Sequence, residues 1–315
     1  MKAAVLHAVG EVPRYEEVPE PVVGEGQDLV RVTACPVMNY DRAWAAGTHY
    51  SSPDKLPTVC GFIGAGELAD GTRVLFGSRD GVMAERAATQ RKWSTEIPDG
   101  VDEAVAAAIQ NPAMSAWTAL EWRAKLQAGE RVLILGATGV TGQLAVQLAK
   151  QLGAGHIVAA GRNQRVLDLL PGLGADATIQ LNQPEDALRE AYRAHGPFDI
   201  VLDYLWGRPT EVLLSTFGAT DMELRFARTR LVQVGVMAGQ TLNLDAEVLR
   251  SHALEILGSG SGNAPPLEVI TSYLPKVMDM VASGALRIEI NRVPLAEVDR
   301  VWNLDQGGRR TVLIP

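Results

Sequence analysis

The spacing of apolar side chains predicts a β-rich amino-terminal region that is followed by alternating strands and helices. In residues 28–34 the side chains alternate between two faces, as in a pleated strand, and residues 2–7 and 73–76 form similar short runs. Beyond residue 130, apolar strands alternate with helical segments. The predicted strands are 131–135, 156–160, 177–179, 199–202, 231–236 and 255–257, and the predicted helices are 142–152, 166–170 and 185–194. This alternation is typical of a doubly wound parallel sheet, so we predict an α/β fold class.

Helices are also expected between the two regions and near the end of the sequence. Residues 102–110 have helical spacing, and Asn111-Pro112 is expected to end that helix because proline lacks an amide donor. A second helix should then cover residues 113–124. An amphipathic helix is expected over 267–282 and a strand over 311–314.

Composition indicates a folded globular protein and limits its partners. The length of 315 residues is greater than one hydrophobic core usually supports, because single cores stop growing near ~250–300 residues. Two domains are therefore expected. Hydrophobic residues make up 47% and charged residues 21% of the chain, which excludes disorder for most of it. The formal net charge of −8 would repel a polyanion, so no nucleic-acid partner is expected.

Two further features bear on cellular location. Cys35 and Cys60 cannot form a disulfide framework and supply no Cys-x-x-Cys pair for structural zinc. No run approaches the ~18 apolar residues of a membrane helix, and the first apolar run is too short for a signal peptide. We therefore expect a cytoplasmic protein with no membrane association.

The strongest chemical signal is a glycine-rich turn between the strand 131–135 and the helix that follows. Ala137, Gly139 and Gly142 have the spacing of a dinucleotide fingerprint with alanine in the first position. Glycine at 139 lets the backbone approach a pyrophosphate, and glycine at 142 lets the helix pack close to the strand. The helix start offers free N–H groups to phosphates. The predicted binding residues are Ala137, Thr138, Gly139, Val140, Thr141 and Gly142.

The end of the next strand favours NADP(H) over NAD(H). Enzymes that use NAD usually place an acidic residue there to hold the ribose 2′-hydroxyl. Here the sequence has no acid and contains Gly161, Arg162, Asn163 and Arg165. The guanidinium of Arg162 could pair with a 2′-phosphate. Two alternatives remain open: a turn that binds nothing, and an Arg162 that is only a solvated residue opening a helix.

At this point the chain resembles the zinc-independent quinone oxidoreductases of the medium-chain dehydrogenase/reductase superfamily. The residues that carry the resemblance are Lys2 to Val5, Gly139 to Lys150, Leu173 to Asp176 and Asp199 to Asp203, and it extends over essentially the whole chain. The resemblance implies a GroES-like, β-rich catalytic domain built from residues 1–118 and 256–315. It implies a Rossmann NADP(H)-binding domain over residues 119–255, inserted between those two segments.

The resemblance also implies that no metal is bound. Zinc-dependent relatives carry a catalytic cysteine and, further on, a Gly-His-Glu motif. The corresponding positions here fall at about Met38 and at Gly61, Phe62 and Ile63. Phenylalanine and isoleucine carry no N, S or O donor for zinc. The four-cysteine lobe of relatives with structural zinc is missing as well, so we expect no metal site.

The activity that the resemblance implies is hydride transfer from NADPH to a small-molecule acceptor, either a quinone or an activated alkene such as an enone. Asn39 and Asp41 resemble an Asn/Asp pair that the family places beside the nicotinamide, although the gap is one residue shorter than usual. Asn39 could orient the nicotinamide, and Tyr40 could donate a proton or a hydrogen bond. Loop capping is the alternative for Asn39 and Asp41.

Further residues are expected to reach the acceptor or the cofactor. Trp44 and Tyr50 could stack on a flat ring and His49 could line the substrate side, with core packing as the alternative for the aromatic residues. Met237 is also predicted to contact the acceptor. The family analogy implies cofactor contacts for Asn111, Ser115, Tyr204, Leu205, Gly235, Val236, Ser259, Gly260 and Ser261.

Several alternatives to this function stay open. One is a nucleotide-binding protein with little catalysis, either redox-responsive or structural, and another is an enoyl-thioester reductase. Arg225, Arg228 and Arg230 form a dense basic run that is either solvated and ion-paired or able to bind a phosphate-bearing substrate such as an acyl-CoA. A homodimer is expected, because the family analogy implies one and symmetric dimers are the commonest oligomers.

Overall fold

The protein was analysed as a computed structural model, which describes residues 1–217, 228–305 and 307–315. These residues form two compact units. The first unit contains Met1–Asn111 and Met278–Pro315, and the second contains Pro112–Val277. The predicted domain limits at residues 118 and 256 both fall inside the second unit, which is larger than the predicted insertion.

The secondary structure confirms the α/β fold class. The strands are β1 (Lys2–Leu6), β2 (Arg14–Glu17), β3 (Gln27–Pro36), β4 (Thr58–Val59), β5 (Ile63–Glu67), β6 (Arg73–Gly77), β7 (Arg86–Gln90), β8 (Ser94–Glu96), β9 (Arg131–Leu135), β10 (His156–Gly161), β11 (Ala177–Gln180), β12 (Ile200–Asp203), β13 (Arg228–Gln233), β14 (Ala253–Gly258), β15 (Ile290–Pro294) and β16 (Arg310–Ile314). The α-helices are α1 (Asn39–Ala45), α2 (Glu103–Trp117), α3 (Val140–Gln151), α4 (Gln164–Leu167), α5 (Glu185–His195), α6 (Arg208–Leu214), α7 (Ala246–Ser251), α8 (Leu267–Ala282) and α9 (Val298–Val301). No helix in the described ranges is long and apolar enough to cross a bilayer.

The first unit is built on two sheets. Strands β2, β1 and β4 form an antiparallel sheet, and a larger sheet has the order β15-β16-β3-β5-β6-β8, with β7 also pairing with β3. Leu6, Phe76, Trp302 and Leu313 are buried in its core. Helix α1 begins three residues after the end of β3. The predicted acceptor-side residues of α1 therefore lie near the carboxyl end of that strand.

The second unit contains a parallel sheet of order β11-β10-β9-β12-β13-β14. Strand β9 lies between β10 and β12, and the strand order proceeds from it to β11 on one side and to β14 on the other. In open α/β sheets, ligands bind beyond the carboxyl ends of the strands where the strand order reverses. Leu135 is paired with Ala160 and with Asp203, so the ends of β9, β10 and β12 lie side by side at that point.

Two predicted boundaries are wrong. Helix α2 does not end before Asn111-Pro112 but continues through them to Trp117, and a π-helix then covers Thr118–Arg123. Proline removes one backbone hydrogen bond, but the faces of α2 around it are deeply buried, and this packing offsets the loss. The strand predicted over 231–236 instead covers Arg228–Gln233, because residues 228–233 pair with β14 and both of its arginines are neutralised by ion pairs.

Arg230 fastens the end of the π-helix to the sheet of the second unit. Its guanidinium donates to the carbonyl oxygen of Ala124 at 2.6 Å and to that of Lys125 at 3.3 Å, and it pairs with Glu130. Arg230 is buried, whereas Arg228, two residues earlier on the same strand, makes an exposed pair with Glu255 at 2.8 Å. The same strand therefore carries one buried ion pair, that of Arg230, and one exposed ion pair, that of Arg228, and their effects on stability can be compared.

We expect Arg230→Met to lower the free energy of unfolding by about 3 kcal/mol, because a buried pair that loses one partner leaves an uncompensated charge. Arg228→Met should cause no measurable change, since exposed ion pairs contribute little. Urea unfolding of both variants measures the difference. Equal losses in the two variants would contradict this interpretation of Arg230.

Candidate functional site

The glycine-rich turn places the start of α3 directly beyond β9. A methyl group on Gly142 would lie 2.6 Å from the Cα of Ala137, so only glycine permits this close approach of helix and strand. A methyl group on Gly139 would meet nothing nearer than 3.4 Å. Gly139 is the N-cap of α3 and has no side chain that could accept the first N–H groups of the helix, so the helix start is left open to a ligand.

The same turn is joined to the end of β10. A methyl group on Gly161 would lie 2.7 Å from the Oγ1 of Thr138, so the threonine side chain packs directly over the glycine. The amides of Gly136 and Ala137 both donate to the carbonyl oxygen of Ala160, at 2.9 and 2.8 Å. These contacts hold the turn against the strand that leads into Arg162.

Arg162 and Arg165 are exposed beyond the end of β10. Within the described ranges neither guanidinium forms an ion pair or a hydrogen bond with the protein. The carboxamide of Asn163 accepts the amide of Val166 at 3.4 Å and therefore caps α4. Two guanidinium groups without partners thus lie where the sequence predicts the 2′-phosphate of the cofactor.

A buried carboxylate, Asp203, organises the turn after β12. One of its oxygens accepts the amides of Leu205 and Trp206, each at 2.8 Å, and the other accepts the hydroxyl of Thr210 at 2.6 Å. Burial raises the pKa of Asp203, and these hydrogen bonds oppose the rise. Trp206 has φ of +56°, which is unusual for a residue with a side chain, and the hydrogen bonds hold it there. No sequence pattern predicts this role of Asp203.

Tyr204 and Leu205 pack against the glycine-rich turn, and their contacts with a cofactor stay a prediction. A methyl group on Gly136 would lie 3.2 Å from the Cβ of Tyr204 and 3.1 Å from the Cδ2 of Leu205. One on Gly235 would lie 2.6 Å from the carbonyl oxygen of Tyr204. The hydroxyl of Tyr204 is buried and has no hydrogen-bond partner among the described residues, and burial raises its pKa.

The other predicted cofactor residues lie on several elements. Asn111 is exposed and Ser115 is half-buried on α2. Val236 is 41% exposed beyond β13, and Met237, which the sequence predicts to contact the acceptor, is 59% exposed. Ser259, Gly260 and Ser261 follow β14, and the amide of Ser259 donates to Gln233. The contact of Met237 with an acceptor and the contacts of the other residues with a cofactor stay predictions.

Helix α1 carries the three residues predicted to be catalytic. Asn39 is exposed at its first position, Tyr40 is half-buried and Asp41 is fully buried. The Oδ2 of Asp41 accepts the amide of Met38 at 2.8 Å, so the carboxylate caps the helix. Burial raises the pKa of Asp41 to about 7, against the opposing effects of that hydrogen bond and of the Arg310 and Arg42 charges. Asp41 positions α1, and its direct catalytic role stays a prediction.

An aromatic cluster surrounds Tyr40 and unites the predicted acceptor-side residues of the first unit. The Tyr40 ring meets the rings of His49 and Phe62 edge-on, with centroids 4.7 and 4.8 Å apart. Trp44 is buried behind Phe62 at 5.3 Å, so it is a core residue rather than an exposed stacking surface. The ring centroids of Tyr50 and His49 are 4.0 Å apart, and Tyr50 is 74% exposed.

Two members of this arrangement were not predicted from the sequence to be functional. Phe62 was considered only as a residue that cannot bind zinc, and its ring joins Tyr40 to Trp44. Ser51 was not singled out. Its hydroxyl lies 3.0 Å from the Tyr40 hydroxyl and 2.8 Å from the Nδ1 of His49. A serine in a polar loop gives no signal of such contacts before the loop is folded.

The residues considered for metal ligation and for phosphate binding have other roles in the fold. In the described parts of the chain, no group of three or more His, Cys, Asp or Glu side chains is arranged to hold a metal ion. Cys35 and Cys60 are buried, and burial raises the pKa of both thiols. Arg225 lies outside the described residues, while the ion pairs of Arg228 and Arg230 occupy both guanidinium groups.

A hollow of about 430 Å³ in the first unit lies away from α1. Its lining includes Gln27, Arg79 and Trp93, and the Arg79 guanidinium itself lies over the Trp93 ring at 5.2 Å. Gln27 is the first residue of β3, whereas α1 follows the last residue of that strand. The hollow is therefore separate from the aromatic cluster.

Comparisons with known proteins identify relatives in sequence. A family model described as zinc-binding dehydrogenase matches residues 140–283. The chain is 31% identical over 227 residues to the "Probable NADPH-dependent quinone reductase" of Emericella nidulans, which covers 68% of this chain and 62% of that protein. It is 30% identical over 171 residues to a trans-enoyl reductase of Aspergillus terreus, covering 53% of this chain and 45% of that protein. The chain thus spans less than two thirds of each of these relatives.

The fold is also that of a solved structure. The quinone oxidoreductase from Thermus thermophilus, whose structure was determined together with that of its complex with NADPH, superposes with a TM-score of 0.83. The match covers 100% of both chains at 24% sequence identity. At this level of identity the likeness establishes the fold, a β-rich unit with a Rossmann-like parallel sheet.

We expect Tyr204→Phe to raise the free energy of unfolding by about 1 kcal/mol, because it removes a buried hydroxyl that lacks a partner. Tyr192→Phe is the matched control: Tyr192 is also buried in the second unit, but its hydroxyl donates to Pro209 at 3.4 Å. The control should be destabilised. Chemical unfolding without ligand measures both, and a loss of stability in Tyr204→Phe would mean that its hydroxyl is satisfied.

Proposed function

This chain belongs to the zinc-independent quinone oxidoreductase family of the medium-chain dehydrogenase/reductase superfamily, and from that premise we propose that it reduces a quinone or an activated alkene with NADPH. The observation that carries the proposal is the open glycine-rich turn beside two arginines that have no partner among the described residues. An open helix start suits a pyrophosphate, and unpaired guanidinium groups suit a 2′-phosphate.

The residues of the second unit fit NADPH. The amides at the start of α3, from Gly139 to Gly142, would hold the pyrophosphate, and Arg162 and Arg165 would hold the 2′-phosphate. The backbone and Cβ of Tyr204 pack against Gly136 and Gly235 and thereby support the turn from behind. When bound, the nicotinamide supplies the hydride, so the protein needs to bind, orient and exclude water rather than provide a redox group.

We assign acceptor binding to the aromatic cluster of the first unit. Phe62 and the exposed ring of Tyr50 are flat apolar surfaces for a quinone or enone, and Trp44 supports Phe62 from behind. The exposed Asn39 would hydrogen-bond a carbonyl oxygen with its amide group. Such a surface discriminates weakly among flat apolar molecules, which is consistent with a broad acceptor range.

A second candidate is reduction of an enoyl thioester, which is also an activated alkene. The similarity to the trans-enoyl reductase of Aspergillus terreus favours it. The ion pairs of Arg228 and Arg230 do not favour it, because these arginines are already neutralised and one of them is buried. We rank it below the quinone or free enone.

We also propose a homodimer and a cytoplasmic location. Strand β14 forms an outer edge of the second unit's sheet, and it exposes Ile256 while Leu249 of the preceding helix is exposed as well. An exposed edge strand with apolar side chains is suited to pairing with a second copy of the chain.

The acceptor class is tested by following NADPH absorbance with a panel of benzoquinones, naphthoquinones, 2-alkenals and an enoyl-CoA. We expect turnover with quinones or free enones and slower turnover with the thioester. Faster turnover with the thioester would replace the first candidate by the second. Tight NADPH binding with no turnover on any acceptor would overturn both and favour a nucleotide-binding protein without catalysis.

Cofactor choice is tested with the double variant Arg162→Ala/Arg165→Ala. Charge-assisted hydrogen bonds contribute roughly 1.5–3 kcal/mol and about 1.4 kcal/mol corresponds to tenfold, so we expect at least a tenfold higher Kd for NADPH. The Kd for NADH should stay unchanged. Arg193→Ala, at an exposed position of α5, is the control. Titration of nicotinamide fluorescence measures these constants, and equal Kd values for NADPH in all three proteins would refute the assignment.

A further inference from the structure

Three polar groups of the first unit form a continuous hydrogen-bonded chain inside the aromatic cluster. The Tyr40 hydroxyl lies 3.0 Å from the Oγ of Ser51, and that oxygen lies 2.8 Å from the Nδ1 of His49. Tyr40 belongs to α1, whereas the other two residues belong to the loop that follows it. Both links are within normal hydrogen-bond length, so protons can pass along the chain.

We propose that Tyr40, Ser51 and His49 form a proton relay that carries a solvent proton to the acceptor as it is reduced. The relay rests on the proposed function, because it serves an acceptor that takes up a hydride at this site. It adds Ser51 to the working residues and gives His49 a role other than contact with the acceptor. Tyr40 is the donor that meets the acceptor, and Ser51 and His49 act through it.

The loop is held so that the chain of hydrogen bonds persists. The amide of Thr48 donates to the carbonyl oxygen of Ala43 at 3.0 Å, which ties the loop to α1. The amide of Ser52 donates to the carbonyl oxygen of His49 at 2.9 Å, so backbone atoms alone are enough to close this turn of the loop. The edge-on contacts of the Tyr40 ring with His49 and Phe62 fix the phenol from the side.

The imidazole can serve the relay in both of its neutral tautomers. With the proton on Nδ1, His49 donates to the Oγ of Ser51. With the proton on Nε2, the lone pair of Nδ1 accepts the Ser51 amide, which lies 3.2 Å away. The first form precedes proton delivery and the second follows it. Burial lowers the pKa of His49 and thereby favours the neutral ring in which these two forms exchange.

The groups around the relay keep the phenol protonated. Burial raises the pKa of Tyr40, and the carboxylate of Asp41 and the hydroxyl of Tyr50 raise it further, whereas the hydrogen bond with Ser51 lowers it. The charge of Asp41 is itself opposed by Arg42 and Arg310. A phenol that stays protonated at neutral pH is a donor and not a base, as the direction of the relay requires.

Each step of the relay balances for an enone acceptor. The hydride forms a C–H bond at the β-carbon, the C=C π bond breaks, and its electron pair moves to the carbonyl oxygen. That oxygen takes the phenol proton of Tyr40. The phenolate oxygen then takes the hydroxyl proton of Ser51, and the Oγ takes the proton from Nδ1 of His49 while Nε2 takes one from a hydronium ion of the solvent. One solvent proton thus enters the product and a water molecule is left behind. Tyr40 and Ser51 recover their protons, and His49 returns to its starting tautomer by proton exchange with solvent.

The experiment compares Ser51→Ala with Ser51→Thr, which keeps a hydroxyl, and with Ser52→Ala, whose hydroxyl binds only a backbone oxygen. We expect Ser51→Ala to lower kcat with an alkenal by about tenfold and to raise the solvent deuterium isotope effect on kcat. The Kd for NADPH and the melting temperature should not change. Ser51→Thr should recover most of kcat, and Ser52→Ala should match the unmodified protein.

A second measurement uses the free protein. The imidazole ¹⁵N signals of His49, identified by their loss in His49→Gln, report which tautomer is present. Ser51→Ala should shift the tautomer ratio, and Ser52→Ala should not.

An active protein whose Ser51→Ala variant keeps its kcat, isotope effect and tautomer ratio would overturn the relay and leave the proposed function intact. A failure of Ser51→Thr to recover kcat would also overturn it. If no acceptor of the panel supports NADPH oxidation by the unmodified protein, the proposed function and the relay are both overturned.

Discussion

The close approach of α3 to the end of β9 is the contact on which the proposed cofactor site depends. A side chain at residue 142 would meet the Cα of Ala137 at 2.6 Å, so the helix can begin where it does only with glycine there. The same turn places Thr138 over Gly161 at the end of β10, which leads to Arg162. One steric constraint thus locates both the open helix start and the two guanidinium groups beyond it.

Ion pairing separates the arginines that hold the fold from those that are available to a ligand. In a chain with a net charge of −8, most arginines find a carboxylate, as Arg228 and Arg230 do. Against that background, the lack of any described partner for Arg162 and Arg165 is informative, because acidic side chains are plentiful. The sequence alone favours Arg162 as the partner of a phosphate and leaves the basic run either ion-paired or able to bind one; the contacts of Arg228 and Arg230 support the ion-paired alternative.

Features encoded by short segments could be predicted from the sequence, and features created by tertiary packing could not. The parallel sheet and the glycine-rich turn depend on local periodicity, and β9 has the predicted limits 131–135. The course of α2 through Pro112 depends on the burial of its faces, which overrides the local effect of proline. Ser51 and the left-handed Trp206 acquire their roles from partners that only the folded chain supplies.

The division of the chain between its two units has a consequence for synthesis on the ribosome. The first unit needs Met278–Pro315, since β16 pairs with β3 and Trp302 and Leu313 fill its core. The second unit ends at Val277, inside α8, which ends at Ala282. Domains usually fold in the order in which they emerge, from the amino terminus onward. Here the middle of the chain can fold first, while the earlier residues, with their apolar β-strands, wait for a segment translated some 165 residues later, the span of Pro112–Val277.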